Sequence, residues 1–219
     1  MIKAIIFDLD GTLIDSETFY VDGTREWLSR CGINIDFKTA SGIIGKTMEE
    51  TYDYLSKLSG IDVKEIIKKN TEYFTIINPL FFNKVVFEDV KENLKQLKKN
   101  GLKICICSMS PRDYIKEFIE ECSLNEYIDY YLSGDECNNT KPDPEIYNKT
   151  ISELGLSPKE VLVVEDAPSG LQAAKASGAY VVARNDAKFG LNQEDALYIL
   201  EDLSELSTII MEINNGKYD

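Results

Sequence analysis

Two pairs of carboxylates stand where predicted strands end. The first pair is Asp8 and Asp10, which are followed by a glycine and a threonine. The second pair is Glu165 and Asp166, directly after a run of four apolar residues. Hard oxygen ligands in this number suit Mg²⁺, which prefers carboxylates together with waters and a substrate phosphate. The sequence therefore predicts a magnesium site formed from two strand ends.

A hydroxyl and a lysine follow two further apolar runs. Ser108 and Met109 precede Ser110, which is predicted to cap the N-terminus of a helix. Backbone N–H groups and the helix dipole favour an anion there. Lys141 stands before a turn stiffened by two prolines and offers a positioned charge for phosphate, and Arg112 lies near the same anion site. A phosphoryl group needs a nucleophile, a proton donor, a metal and cationic groups, and these strand ends supply candidates for them.

The composition excludes several chemistries and partners. The 219 residues include no histidine, which removes Ser-His-Asp and Cys-His mechanisms and every imidazole metal ligand. A formal net charge of −14 repels nucleic acid and anionic membranes and favours a small soluble substrate over nucleic acid. The same charge repels a phosphorylated small molecule at long range, so any anion site must carry its own local cations and backbone donors. We expect a monomer. We also expect no membrane span, because no apolar run approaches the ~18 residues that a span needs.

The cysteines and the first residues indicate the compartment. Five cysteines form an odd set without a Cys-x-x-Cys motif, and Cys105 and Cys107 alternate within one apolar run. We interpret all five as reduced thiols of a cytoplasmic protein. The first residues form a strand-like run rather than a signal peptide, in agreement with that compartment.

Strands alternate with helices over most of the chain. Five apolar runs predict buried strands, at 2–7, 102–107, 127–132, 161–164 and 180–183, and amphipathic segments with helix start and stop signals lie between most of them. This alternation predicts an α/β fold with a doubly wound parallel sheet, whose ligands bind at the carboxyl ends of the strands.

One segment breaks the alternation. Residues 14–83 show helical periodicity in three pieces, 16–31, 49–58 and 62–77, and contain no run typical of a buried strand. We therefore predict a catalytic core of residues 1–13 and 84–219, interrupted by an all-helical insert of residues 14–83.

The four motifs together resemble the haloacid dehalogenase-like hydrolase superfamily. They are Asp-x-Asp-Gly-Thr, the serine after the second predicted strand, Lys-Pro-Asp-Pro, and Glu-Asp after an apolar strand. The chain is most similar to the branch that contains β-phosphoglucomutase and many small phosphatases. The resemblance spans nearly the whole chain and implies a Rossmann-like core in which the insert is the cap domain.

The resemblance also implies roles for the motif residues. Asp8 would attack phosphorus and form an aspartyl-phosphate, and Asp10 would protonate the leaving oxygen and then activate water. Ser108 would bind a phosphoryl oxygen, and Lys141 would offset the negative charge. The Mg²⁺ ligands implied are Asp8, the backbone carbonyl of Asp10, Asp166 and Glu165, the last directly or through water. The cap loop with Lys46 is a candidate substrate contact, as are Met109 and Arg112.

Alternative functions stay open at this point. The mutase of this branch has a histidine in its first cap helix where this chain has Tyr20, and a cap-loop arginine where it has Met48. We therefore favour a phosphatase acting on a small phosphomonoester over a sugar-phosphate mutase. The alternatives that are not enzymes are a phosphoreceiver domain and a catalytically silent binding protein.

Overall fold

A computed structural model describes residues 1–218, which divide into two compact units. Of the described residues, the first unit contains 1–14 and 82–218, and the second contains Asp15–Phe81. Each unit has a core of its own. The assignment of the first unit as catalytic core and of the second as cap stays a prediction.

The first unit is built on one parallel sheet. Its strands are β1 (Ala4–Phe7), β2 (Lys103–Ser108), β3 (Tyr130–Ser133), β4 (Val161–Glu165), β5 (Tyr180–Arg184) and β6 (Ile199–Leu200). They lie in the order β3-β2-β1-β4-β5-β6, and all neighbouring pairs are parallel. The predicted doubly wound α/β fold is confirmed.

Six helices belong to the first unit in the part of the chain that the structure describes. In the numbering of the whole chain they are α5 (Phe82–Val85), α6 (Val90–Lys99), α7 (Arg112–Glu121), α8 (Glu145–Glu153), α9 (Pro168–Ala176) and α10 (Leu206–Asn214). One core cluster joins α8 and α9 to alternate side chains of β1, β2, β4 and β5. Cys105 and Cys107 both belong to this cluster, as their alternation predicts, and all five cysteines are free thiols.

The strand predictions differ from the structure at several boundaries. The third strand begins at Tyr130 rather than residue 127, because residues 127 and 128 form a turn whose backbone N–H groups bond to the Leu124 carbonyl. The two-residue strand β6 and the helix α10 were not predicted. A strand this short at the sheet edge has no alternation to detect.

The second unit is all-helical, with one core around Trp27. It contains α1 (Ser16–Arg30), α2 (Phe37–Ala40), α3 (Met48–Ser59) and α4 (Val63–Glu72), and α4 is followed by a π-helical turn over Tyr73–Ile77. Three of these correspond to the predicted pieces, and the four-residue α2 is additional. In residues 1–218, no helix combines the length and apolar character that crossing a membrane requires.

Candidate active site

The sheet order brings the predicted site residues of three strands to one edge. Strand β1 lies between β2 and β4, so the residues after β1 stand beside the carboxyl ends of both neighbours. Asp8 follows β1 directly, and its backbone N–H donates to the Val164 carbonyl at 2.9 Å. Ser108 ends β2 and Glu165 ends β4. The order of the strands in the sheet therefore places the acids and a hydroxyl side by side, although these residues are far apart in the sequence.

Three carboxylates form a compact, buried cluster at this edge. Asp8, Glu165 and Asp166 each offer an oxygen, and these oxygens all lie within 4.8 Å of one another. Their residues are 7%, 1% and 4% exposed, respectively. Burial of three like charges is expensive unless cations compensate them.

Lys141 supplies one of these cations. Its ammonium lies 2.5 Å from Asp8 Oδ1 and 2.6 Å from Glu165 Oε1, and it also donates to the Cys107 carbonyl at 3.4 Å. The lysine side chain is 6% exposed, so solvent screens these ion pairs only weakly. Lys141 precedes a cis peptide bond to Pro142.

The charges of the cluster fit a divalent cation. Three carboxylates face one ammonium, so the fully ionised cluster keeps two uncompensated negative charges. The donors are carboxylate oxygens, which Mg²⁺ prefers over nitrogen or sulfur ligands. The residues present therefore fit the predicted magnesium ion, with Asp8 and Asp166 as its candidate side-chain ligands.

Burial and charge shift the pKa values of the cluster. Burial raises the pKa of Asp8 to about 7, and the negative charge of Glu165 adds to the rise while Lys141 opposes it. Burial alone would lower the pKa of Lys141, but the charges of Asp8 and Glu165 raise it well above its ordinary value. Lys141 is therefore a permanent cation, and ionisation of Asp8 is costly without a metal.

This shift predicts how stability depends on pH in the metal-free protein. Because the pKa of Asp8 is raised from 3.8 to about 7 on folding, its contribution to stability is complete below the lower value and is lost as pH rises through the upper one. We expect the wild type to lose about 2 kcal/mol relative to Asp8→Asn between about pH 5.5 and about pH 8.5. Urea unfolding of both proteins in EDTA at the two pH values measures the difference.

The comparison of pH slopes separates this effect from a lost contact. Asp8→Asn also changes the hydrogen bond to Lys141, but Lys141 stays protonated at both pH values, so the difference in slope reports the ionisation of Asp8. Asp195→Asn, which alters a surface ion pair with Lys175, is the control and should keep the wild-type slope. Equal slopes in wild type and Asp8→Asn would show that burial does not penalise the Asp8 carboxylate.

Two glycines make room for the carboxylates. Gly11 has a φ of +77°, and a side-chain carbon added to it would overlap the Asp166 carboxylate. A side-chain carbon on Gly170, in the first turn of α9, would overlap the Glu165 carboxylate in the same way. The glycine of the first motif is thus required both by its backbone conformation and by the close approach of a metal-ligand candidate.

Hydroxyl groups hold three of the acids. Thr12 Oγ1 donates to Asp166 Oδ1 at 2.8 Å, and Tyr147 OH donates to Glu165 Oε1 at 2.7 Å. Asp10 Oδ2 accepts a hydrogen bond from Ser110 Oγ at 2.7 Å, and Asp10 Oδ1 accepts one from Tyr114 OH at 3.3 Å. A hydroxyl can donate to a carboxylate or accept from a carboxylic acid, so Ser110 and Tyr114 suit Asp10 in either protonation state.

The role predicted for Ser110 as a helix cap is wrong. Helix α7 begins at Arg112 with Pro111 in the cap position, and no side chain caps it. The Ser110 hydroxyl instead bonds to Asp10, and its backbone N–H donates to Ser108 Oγ at 3.0 Å. Ser110 thus has the sequence context of a helix cap, but its hydroxyl contacts the site residue Asp10.

The remaining predicted contacts lie in different surroundings. Met109 packs against Gly134 and the core. Arg112 pairs with Glu136 at 2.7 Å and stacks on Tyr131, so it is not brought to the carboxylate cluster. Lys46 belongs to the second unit, where its ammonium lies 5.8 Å from the centre of the Tyr54 ring.

Sequence reasoning missed the hydroxyls that hold the acids. Tyr114 and Tyr147 lie on helices whose pattern is otherwise amphipathic, where a tyrosine is usually a core residue with a polar tip. Their one detectable signal is position, because each lies in the first turn of a helix that follows a predicted site motif.

The chain matches known proteins over most of its length. The family model described as haloacid dehalogenase-like hydrolase matches residues 5–184. A validoxylamine A 7′-phosphate phosphatase from Streptomyces hygroscopicus subsp. limoneus is 28% identical over 94% of this chain and 96% of the relative. A phosphorylated carbohydrates phosphatase from Thermotoga maritima is 29% identical over 80% of this chain and 82% of the relative.

Solved structures give the same result. A Thermotoga maritima protein provisionally described as a β-phosphoglucomutase superposes with a TM-score of 0.79 at 27% identity, over 96% of this chain and 99% of that chain. The predicted family, its β-phosphoglucomutase-like branch and the hydrolytic nature of the enzyme are thereby confirmed. The chain belongs to the haloacid dehalogenase-like hydrolases.

Proposed function

We propose that this enzyme is a Mg²⁺-dependent phosphatase that hydrolyses a small-molecule phosphomonoester through an aspartyl-phosphate on Asp8. The observation that carries the proposal is the buried cluster in which the Lys141 ammonium contacts both Asp8 and Glu165. Three relatives are named as phosphatases of phosphorylated carbohydrates, validoxylamine A 7′-phosphate and phosphoglycolate, all of which are phosphorylated organic compounds. They support the phosphoric monoester hydrolase class.

In the first step a carboxylate oxygen of Asp8 attacks phosphorus. The bond from phosphorus to the ester oxygen breaks, and its electron pair stays on the leaving oxygen, which takes a proton from Asp10. Lys141 faces Asp8 and offsets charge as the phosphoryl group arrives, while Ser108 is proposed to donate to a phosphoryl oxygen. A bound Mg²⁺ supplies charge stabilisation that lets an anionic nucleophile and an anionic substrate approach each other.

In the second step a water molecule attacks the phosphorus of the aspartyl-phosphate. Asp10, now ionised, accepts the water proton, and the bond between phosphorus and the Asp8 oxygen breaks. Asp8 is released as a carboxylate and Asp10 is protonated again, so each turnover restores the starting state. The hydroxyls of Ser110 and Tyr114 hold Asp10 in place during both transfers.

The substrate contacts outside the carboxylate cluster are a further part of the proposal. In the second unit, Lys46 lines a cavity of about 380 Å³ together with Tyr20, Tyr52 and Phe74. We propose that Lys46 and Met109 contact substrate, whereas Arg112 would first have to leave Glu136. A cytoplasmic location and a monomeric state stay predictions.

Removal of divalent ions is expected to abolish turnover. With p-nitrophenyl phosphate, EDTA should reduce the rate by at least about 100-fold, because the buried cluster then repels the substrate phosphate. Mg²⁺ should restore the rate and raise the melting temperature, and Asp166→Asn should raise the half-saturating Mg²⁺ concentration by about 10- to 100-fold in the same melting assay. Full turnover in EDTA, with no effect of Mg²⁺ on melting, would contradict the proposal.

A sugar-phosphate mutase is the second candidate. The Thermotoga maritima neighbour described in those terms favours it, whereas Tyr20 and Met48 disfavour it. Incubation with a hexose 1-phosphate separates the two functions, because a phosphatase releases inorganic phosphate while a mutase yields the 6-phosphate. A phosphoreceiver domain would show no multiple turnover in this assay.

A further inference from the structure

A buried tyrosine contacts the partner of the site lysine. Tyr147 is 0% exposed, and its hydroxyl donates to Glu165 Oε1 at 2.7 Å. The Lys141 ammonium lies 5.2 Å from the centre of the Tyr147 ring and 2.6 Å from the same Glu165 oxygen. One carboxylate oxygen thus receives both the hydroxyl and the ammonium, and the aromatic ring lies within cation–π range of that ammonium.

The other Glu165 oxygen is bound by the backbone. Glu165 Oε2 accepts from the Asp166 N–H at 3.1 Å and from the Ala167 N–H at 3.3 Å. Each carboxylate oxygen accepts about two hydrogen bonds, so four donors saturate Glu165. A saturated carboxylate is a poor direct ligand for a metal ion and a rigid support for a lysine.

We propose that Tyr147 and Glu165 are positioning residues that hold the Lys141 ammonium against the Asp8 nucleophile. The proposal rests on the proposed function and assigns Glu165 to the lysine rather than to the metal. Tyr147 lies on α8 and acts through Glu165. The Tyr147 hydroxyl holds Glu165, and its ring lies near the Lys141 ammonium. Asp8 contacts the same ammonium.

The physical reason lies in the lysine side chain. A lysine ends in a compact charge on a flexible four-carbon stem, so its position depends on the contacts made by the ammonium. Glu165 Oε1 receives two of the four donors, Tyr147 and Lys141. If the Tyr147 hydroxyl is removed, Lys141 is the one donor that remains at this oxygen. The ammonium is then drawn toward Glu165 and away from Asp8. A displacement of about 1 Å at a reacting group is enough to slow a transfer.

The test compares two variants that each remove one buried hydroxyl from α8. Tyr147→Phe keeps the ring and loses the bond to Glu165. Thr150→Val is the matched control, because the Thr150 hydroxyl donates to the Ile146 carbonyl and contacts Cys107 Sγ, both at 3.0 Å, and not Glu165. With p-nitrophenyl phosphate, Tyr147→Phe should lower kcat about tenfold with KM changed less than about threefold, and Thr150→Val should stay within about twofold of wild type.

Glu165→Gln provides a second variant and tests the metal separately. It should lower kcat at least as much as Tyr147→Phe, because Lys141 loses a charged partner. The half-saturating Mg²⁺ concentration in a melting assay should stay within about threefold of wild type in Tyr147→Phe, and it should rise clearly less in Glu165→Gln than in Asp166→Asn, because Glu165→Gln removes a nearby charge and not a ligand. A rise in Glu165→Gln as large as that in Asp166→Asn would make Glu165 a metal ligand and overturn its assignment to the lysine.

A further readout does not depend on turnover. In a double-mutant cycle, thermal unfolding without metal is measured for the wild type, Tyr147→Phe, Lys141→Met and the double variant. Tyr147→Phe should lower the melting temperature at least about twice as much in the wild-type background as in the Lys141→Met background. The reason is that Tyr147 stabilises the Lys141 ammonium, which is absent from Lys141→Met. Independent effects would overturn the proposal, as would wild-type kcat in Tyr147→Phe or an equal loss in Thr150→Val. If the wild type itself does not hydrolyse phosphate esters, the proposed function fails and the cycle still decides the coupling.

Discussion

Replacement of Asp8 by asparagine is expected to abolish phosphatase turnover. Asparagine keeps the size of the side chain but provides no anionic oxygen, so attack on phosphorus has no nucleophile. We expect kcat for p-nitrophenyl phosphate to fall by roughly 10⁴-fold or more, as is typical when a covalent nucleophile is removed. Steady-state rates with saturating Mg²⁺, measured on protein from a fresh purification, give the comparison.

Two controls identify the cause of the loss. Asp195→Asn makes the same chemical change in a surface ion pair with Lys175 and should retain wild-type kcat. Unfolding of Asp8→Asn at about pH 8 should show a metal-free protein at least as stable as the wild type, because a costly buried charge has been removed. Turnover that persists in Asp8→Asn would show that another group attacks phosphorus.

Replacement of Asp10 by asparagine is expected to separate the two steps. Asparagine cannot donate a proton to the leaving oxygen or accept one from water, so an alkyl phosphate should lose about 10²- to 10⁴-fold in kcat. p-Nitrophenolate leaves without protonation, so the first step should survive while the second remains slow. Rapid mixing should therefore show a burst of one p-nitrophenolate per enzyme, followed by slow turnover.

The partners of Asp10 serve as graded controls. Ser110→Ala and Tyr114→Phe each remove one hydroxyl bonded to Asp10 and keep its carboxylate. Each should lower kcat by about tenfold or less without producing a burst, because proton transfer persists from a less well-held carboxyl group. Equal losses for alkyl and p-nitrophenyl phosphate in Asp10→Asn, without a burst, would contradict its role in proton transfer.

The placement of the acids could be predicted because it follows from sheet topology. Apolar runs mark the strands, and residues that follow parallel strands gather at one edge. This rule, together with the four motifs, predicts that Asp8, Glu165 and Asp166 lie together, and the structure has their oxygens within 4.8 Å of one another. Lys141 follows a loop rather than a strand, so its place in the site is predicted from its motif.

The support of the site could not be predicted in the same way. Tyr147 approaches Glu165 across 18 positions of sequence, and Tyr114 approaches Asp10 across 104. Such contacts depend on the angle of a helix against the sheet, which no local pattern specifies. Arg112 shows the converse, because nearness in sequence to an anion site did not prevent its pairing with Glu136.

The most direct test of the central claim is chemical capture of the intermediate. Asp10→Asn protein is mixed with p-nitrophenyl phosphate and Mg²⁺, quenched during the burst and reduced with borohydride, which converts an acyl phosphate to an alcohol. Peptide mass spectrometry then locates the reduced side chain. We predict that reduction occurs at Asp8, in proportion to the burst, and is absent without substrate. Reduction at another carboxylate, or a full burst with Asp8 unmodified, would contradict an aspartyl-phosphate on Asp8.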